Sequence, residues 1–304
     1  MTRSIAFVTA DVFTGERFGG NQLAVIPDAR GITDDEMLAI TREFNYSETT
    51  FVLPPDDPRH ARRVRIFTPA REIPFAGHPT VGTAHVLAAL GDIPLTGPET
   101  LIVFEEGVGP VSVTIRARDG LPVFAQLQAA RLPETGPLPP GRAALAEVLS
   151  LQTEDLLDGD SAPQAMSCGL PFLFVPVRDR TVLKRARVNT AAWEKTLASY
   201  WAPDVFVFSR DPQRPGSDVR ARMFGPGVAV IEDPATGSAA VALAGYLGSR
   251  DPRRDGTLSW VIEQGFEMGR PSILHAEADK KGGAITAVRV GGETVLVSRG
   301  EMEL

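Results

Sequence analysis

Apolar residues follow two rhythms along this chain, and a third kind of segment has no rhythm at all. Short runs rich in Val, Ile, Phe and Thr, bounded by Gly, Pro or Asp, predict strands. In the first part these are "SIAFVTADVF", "LAVIP", "TTFVLP", "RVRIFTP", "LIVFEE" and "VSVTIRA". Further on come "FLFVPV", "DVFVFS", "VRARMFGP", "SWVIEQG", "AITAVRV" and "ETVLVS". Polar residues recurring at helical spacing predict amphipathic helices over 33 to 44, 141 to 149 and 189 to 200. The first opens on Thr33 with Glu36 three residues on, a capping box. Segments 80 to 90 and 236 to 247 have no polar face to speak of. A helix apolar all round is surrounded by protein, so each predicts a curved sheet wrapped about it.

The halves of the chain align. His78-Pro79-x-x-Gly82-Thr83-Ala84 matches Asp233-Pro234-x-x-Gly237-Ser238-Ala239 at an offset of 155, and "TFVLP" matches "VFVFS" at the same offset. "RIFTP" matches "RMFGP" at 157, and "EEG" matches "EQG" at 158. Such ordered anchors mark an internal repeat. The predicted architecture is α+β: two pseudo-symmetric halves, each a mostly antiparallel, barrel-like sheet around a central apolar helix. The halves are residues 1–130 and 131–304. The proline-rich "RLPETGPLPPGR" (131 to 142) reads as the linker, and the C-terminal strand is free to return to the first half.

Composition narrows the function. With 304 residues, 43% of them hydrophobic, the chain can bury two cores, and its net charge of -7 argues against a nucleic-acid partner. The arginines of "RHARRVRIF" read as a solvated strand edge. Cys168 is the only cysteine, so neither an internal disulfide nor a multi-cysteine zinc site can form. No signal peptide and no apolar run of membrane length is visible, which predicts a cytoplasmic protein.

Candidate chemistry gathers at the two apolar helices. With Pro79 and Pro234 at the first helical positions, His78 and Asp233 fall at the caps, beside unpaired amides at the positive end of the helix dipole. Gly82 and Gly237 would let a ligand approach the backbone, and Thr83 and Ser238 offer hydroxyls. Amides near Gly77 and Gly237 suit a carboxylate, and two such helix starts facing one another would hold one. Asp before Pro is also a routine helix cap, but a histidine in the matching position of the other copy is not. Glu48, directly before an apolar strand, is the third candidate; its repeat partner is Pro203, so the fold does not require an acid there. A surface acid capping a loop is the bland alternative. His85 reads as a core histidine, and His78, His85 and Glu72 match no metal-ligand spacing. "FEEGVGPV" and the terminal "GEMEL" suggest nothing catalytic.

The stretches "DVFTGERFGGNQLAVI", "NYSETTFVL", "FTPAREIPFAGHPTVGTA", "EDPATGSAA" and "EQGFEMGRPS" resemble the PhzF family of phenazine-biosynthesis-like proteins, in family order over nearly the whole chain. The resemblance implies a fold related to diaminopimelate epimerase and an isomerase that uses no cofactor and no metal. It implies that Glu48 moves a proton along a small carboxylate-bearing substrate similar to trans-2,3-dihydro-3-hydroxyanthranilate. His78, Asp233 and Ser238 match the family's other site residues, and a homodimer is expected. The epimerase branch's two-thiol racemisation is excluded by the single cysteine. Gln22 stands where the family usually has proline and is expected to alter a loop. Two further readings remain open: a serine hydrolase using Ser238, His78 and Asp233, and a non-catalytic small-acid binder.

Overall fold

The computed structural model describes residues 3–228 and 230–304. The chain divides into two compact units, Met1–Ala130 with Val290–Leu304, and Arg131–Arg289.

The first unit runs β1 (Ser4–Val12), β2 (Asn21–Ile26), α1 (Asp34–Phe44), β3 (Glu48–Leu53), β4 (Arg62–Phe67), β5 (Glu72–Ile73), α2 (Gly77–Leu90), β6 (Glu99–Glu106), β7 (Gly109–Arg118) and β8 (Leu121–Gln128). Strand β2 is antiparallel to β1 and parallel to β3. Strand β4 is antiparallel to β3 and parallel to β6, and β6, β7 and β8 form a meander. The terminal strand Thr294–Glu303 returns to pair antiparallel with the other side of β1. Just before it, Gly291 presses on β8, where a Cβ would come within 2.7 Å of the Ala125 carbonyl oxygen. The sheet therefore curls round α2, which touches β1, β2, β3, β7, β8 and the returning strand.

Alternation decides what faces that helix. In β6 the residues Thr100, Ile102, Phe104 and Glu106 point inward, as do Val111, Val113 and Ile115 in β7. Every residue of α2 from Gly77 to Ala88 is buried. The amphipathic α1 sits on the opposite face, packing Met37 and Ile40 with Ile26, Phe51 and Phe67. Its Thr33–Glu36 capping box is formed. The arginine cluster corrects the edge-strand expectation: β4 lies between β3 and β6. Two of its arginines are held by acids, Arg65 by Glu72 and Asp34, and Arg63 by Asp56, while Arg62 donates to the Ala61 and Asp92 carbonyls.

The second unit contains β9 (Glu134–Thr135), α3 (Arg142–Val148), β10 (Gln164–Ser167), β11 (Pro171–Pro176), α4 (Arg180–Arg185), α5 (Thr190–Thr196), β12 (Val205–Ser209), β13 (Val219–Gly225), β14 (Val230–Asp233), α6 (Gly237–Arg250), β15 (Gly256–Gln264) and β16 (Ser272–Lys281). Strand β11 is parallel to β12, β12 antiparallel to β13, β13 parallel to β15, and β15 antiparallel to β16. That is the same sequence of senses as β2, β3, β4, β6 and β7. Helix α6 touches β10, β11, β15 and β16 and buries Ala239 to Tyr246. Helices α3, α4 and α5 bring Leu145, Leu183 and Ala192 onto Leu173, Val175 and Val207. The sequence pattern does not predict α4, which is too short to display an apolar stripe; Asp179 caps it by accepting from the Val182 amide.

Both helix starts depart from the proline-first expectation. Helix α2 begins at Gly77 with Ala76 as cap, making Pro79 its third residue. Helix α6 begins at Gly237 with Thr236 as cap, so Pro234 lies outside it and Asp233 ends β14. The first four helical amides have no intrahelical partner, so proline is tolerated throughout the first turn and does not by itself fix the start. Among the described residues, no helix is long and apolar enough to cross a membrane.

Candidate active site

The parallel pairing of β2 with β3 sets Leu23 beside Glu48, so Asn21 and Glu48 share one end of the sheet. The first turn of α2 enters there and delivers His78. Its Nε2 lies 3.5 Å from Glu48 Oε2, and its Nδ1 lies 3.2 Å from the Asn21 side-chain amide nitrogen. The ring is thus flanked by the carboxylate on one side and the amide on the other. His78 is only 4% exposed, whereas the Glu48 side chain keeps 17% of its surface. Burial pushes the His78 pKa down to about 3, opposed only by a hydrogen bond with the Gln22 backbone. A neutral imidazole therefore stands behind a carboxyl group that keeps part of its surface exposed. Such a pair can take a proton from a substrate, hold it and give it back.

Gln22 corrects the loop expectation. It is the second residue of β2, paired with Asp11, and its backbone touches the catalytic-candidate ring. A side-chain change there leaves that backbone contact available. Asn21, by contrast, was legible only as the residue beside the family departure; nothing in the sequence assigns it to the His78 ring.

Two other candidates serve packing. Thr83 is fully buried with its hydroxyl on Thr50 of β3 at 2.8 Å, which removes it from the ligand-binding set. A Cβ on Gly82 would meet Val12 and Leu23 at 2.6 Å, so this glycine admits the sheet to the helix rather than a ligand. Gly77 is buried at the first position of α2. His85 is buried without a partner at Nδ1, and burial lowers its pKa to about 4. Cys168 is buried too, its thiol pushed up to about 12 by desolvation.

The second unit assembles a different set at the start of α6. The Thr236 hydroxyl donates to Asp233 Oδ2 at 2.5 Å. Gln264, the last residue of β15, donates its amide hydrogens to the Asp233 carbonyl at 2.8 Å and to Thr236 Oγ1 at 2.9 Å. Its Oε1 accepts from the Thr236 amide at 3.1 Å. Gly237 and the half-buried Ser238 follow as the first two helical residues. Neither Thr236 nor Gln264 was among the sequence candidates, although the "EQG" repeat anchor contains the latter.

Helix-filled sheets of this kind define an α+β fold of the epimerase-like type, here with an acid–imidazole pair at one helix start. The PhzC-PhzF family model, described as phenazine biosynthesis-like protein, matches residues 10–300, and the chain belongs to this family. It is 41% identical over 299 residues to the uncharacterized isomerase mll1393 of Mesorhizobium japonicum, covering 97% of this chain and 98% of that one. It is 32% identical over 298 residues to the trans-2,3-dihydro-3-hydroxyanthranilate isomerase of Pseudomonas chlororaphis, covering 98% and 99%. The crystal structure of a PhzF-family protein from Bacillus anthracis superposes with a TM-score of 0.88 at 24% identity over 99% of both chains, a likeness of fold. These relatives make the protein an isomerase, which sets aside the hydrolase and non-catalytic readings.

Proposed function

We propose that this isomerase shifts a proton along a small carboxylate-bearing substrate, with Glu48 as the group that takes the proton and returns it. The observation that supports this is the 3.5 Å approach of a partly exposed Glu48 to a buried, neutral His78. Glu48 as carboxylate removes a proton from a carbon beside a carbonyl, carboxylate or double bond. The electron pair left on carbon spreads into that neighbour. The protonated Glu48, whose carboxyl proton exchanges with solvent at its exposed edge, then delivers a proton to another carbon of the delocalised system, and no electrons leave the substrate. In this reading His78, its ring set by Asn21, and Asp233 polarise the substrate and relay protons. Ser238 and the amides at Gly77 and Gly237 hold the substrate's carboxylate. Neither a cofactor nor a metal has a role in it, and the protein works as a homodimer.

The test uses trans-2,3-dihydro-3-hydroxyanthranilate, the compound named for the Pseudomonas chlororaphis relative, beside a panel of small unsaturated acids in D₂O. Wild type incorporates deuterium at carbon of at least one of them. Glu48→Gln loses about 10²–10⁴-fold of that rate while its circular dichroism is unchanged. A Gln variant with near-normal exchange ends the assignment. Asp233→Asn lowers the exchange rate, Ser238→Ala weakens substrate binding, and sedimentation equilibrium reads the dimer.

A further inference from the structure

Glu106 ends β6 and points inward, 8% exposed, against the first turn of α2. Its Oε1 lies 2.6 Å from Thr80 Oγ1, and that same hydroxyl lies 2.7 Å from the carbonyl oxygen of Ala76, the residue that caps α2. A threonine hydroxyl has one hydrogen, and a carbonyl can only accept. If Thr80 donates to Ala76, the shorter contact is a hydrogen bond only when the acid supplies the proton. The opposite arrangement presses two oxygen lone pairs together at 2.7 Å. It also buries a charge whose Oε2 has no hydrogen-bond partner.

The second unit contains the neutral counterpart. Gln264, which the repeat aligns with Glu106, donates from the matching strand end to the Thr236 hydroxyl, and that hydroxyl donates onward to Asp233. The same relay runs in both units, from strand end to threonine to the residues opening the apolar helix. An amide performs it without titrating. A carboxyl group performs it only while protonated.

We propose that Glu106 is a neutral carboxylic acid that donates its hydrogen to Thr80, and that this bond positions the start of α2 carrying His78. The charged groups nearby are spoken for. Asp56, Arg63, Arg65, Glu72 and Glu105 line a cavity of about 270 Å³ with Glu106. Of these, Arg63 pairs with Asp56 and Arg65 with Glu72 and Asp34. Glu105 accepts from the amides of Asp56 and Asp57 and meets His60. On α2 itself, His78 and His85 are neutral. No cation among the described residues therefore favours the ionised form, and burial raises the Glu106 pKa to about 8. Glu106 acts on the reaction only through His78, as a positioning residue.

The test needs no substrate, so its outcome is independent of the proton-shift reading above. Carboxyl carbons of glutamate are labelled with ¹³C and histidine rings with ¹⁵N in the full chain, and both are followed by NMR against pH. One glutamate resonance, missing in Glu106→Gln, should sit at the neutral-carboxyl position at pH 7 and move to the carboxylate position only at about 8. The His78 ring signals should shift with it in wild type and stay flat over that range in Glu106→Gln, whose amide donates as Gln264 does. Should the Gln variant not fold, displacement of that resonance by Thr80→Val identifies it. A Glu106 signal already ionised at pH 6 overturns the protonated acid. His78 signals that ignore its titration overturn the positioning role.

Discussion

The starts of α2 and α6 are two versions of one construction. Each helix enters a curled sheet whose strands follow the same sequence of parallel and antiparallel pairings, and each is tied by a threonine to the end of a neighbouring strand. The second unit closes its ties with an amide, and every polar atom of Gln264 is engaged. The first unit uses acids and imidazole at the corresponding place: Glu48 where the repeat has Pro203, His78 where it has Asp233, and Glu106 where it has Gln264. The second unit holds a single titratable side chain, Asp233, inside a pattern fixed by the Gln264 amide, while the first gathers three, Glu48, His78 and Glu106.

The sharpest way to break this contrast is at Glu48. Shortening it to Asp draws the carboxyl back from His78 by one methylene. Misplacing a reacting group by about 1 Å costs on the order of 10²-fold, so Glu48→Asp should lower deuterium exchange by about that factor with a native spectrum. Exchange at the wild-type rate would mean that the 3.5 Å approach is incidental. Next in size is Gln264→Glu, which copies the first unit's acid into the second. Above its pKa the carboxylate cannot donate to the Asp233 carbonyl or to Thr236, and leaving buried groups unsatisfied costs about 1–3 kcal/mol. Urea unfolding should show the loss at alkaline pH and its recovery on acidification. A pH-independent stability would refute the donor argument.

Gly82→Ala probes packing without touching a titratable group. Its Cβ has no room against Val12 and Leu23, so a loss of about 1–3 kcal/mol is expected. A further test is the acid limb set by the buried histidines. Their folded pKa values, about 3 for His78 and about 4 for His85, lie below the ordinary 6.5. Between those limits the unfolded chain binds more protons than the folded one, so the stabilising contribution is complete above 6.5 and drains away as pH falls toward 4 and then 3. Thermal melts of His85→Leu should fall less steeply over this window than those of wild type. Parallel curves would mean that His85 charges without unfolding the protein.

Much of this was legible in the residues. The two helices without a polar face, the capping box at Thr33 and the strand runs around them all follow from local pattern. Glu48 and His78 could be singled out because each breaks an otherwise apolar or repeated stretch. Pairings across the sheet were not legible in the same way. Asn21 meets His78 only because β2 lies parallel to β3, a fact of topology. Thr83 looked like a free hydroxyl because its partner, Thr50, is on another element. Glu106 was passed over although a signal existed. The period of two through Ile102 and Phe104 carries on to Glu106 and turns it inward, while Glu105 faces the turn at Asp56 and Asp57. The helix starts were misjudged because proline fits any of the first-turn positions.

The returning strand along β1 has a consequence for how the protein is made. On the ribosome the whole of Arg131–Arg289 emerges as one uninterrupted stretch, able to collapse as soon as it is clear of the exit tunnel. The first unit must wait. Until Thr294–Glu303 is released, one side of β1 presents bare amides and carbonyls to any passing strand. A chain truncated before Thr294 would be a template for misassembly.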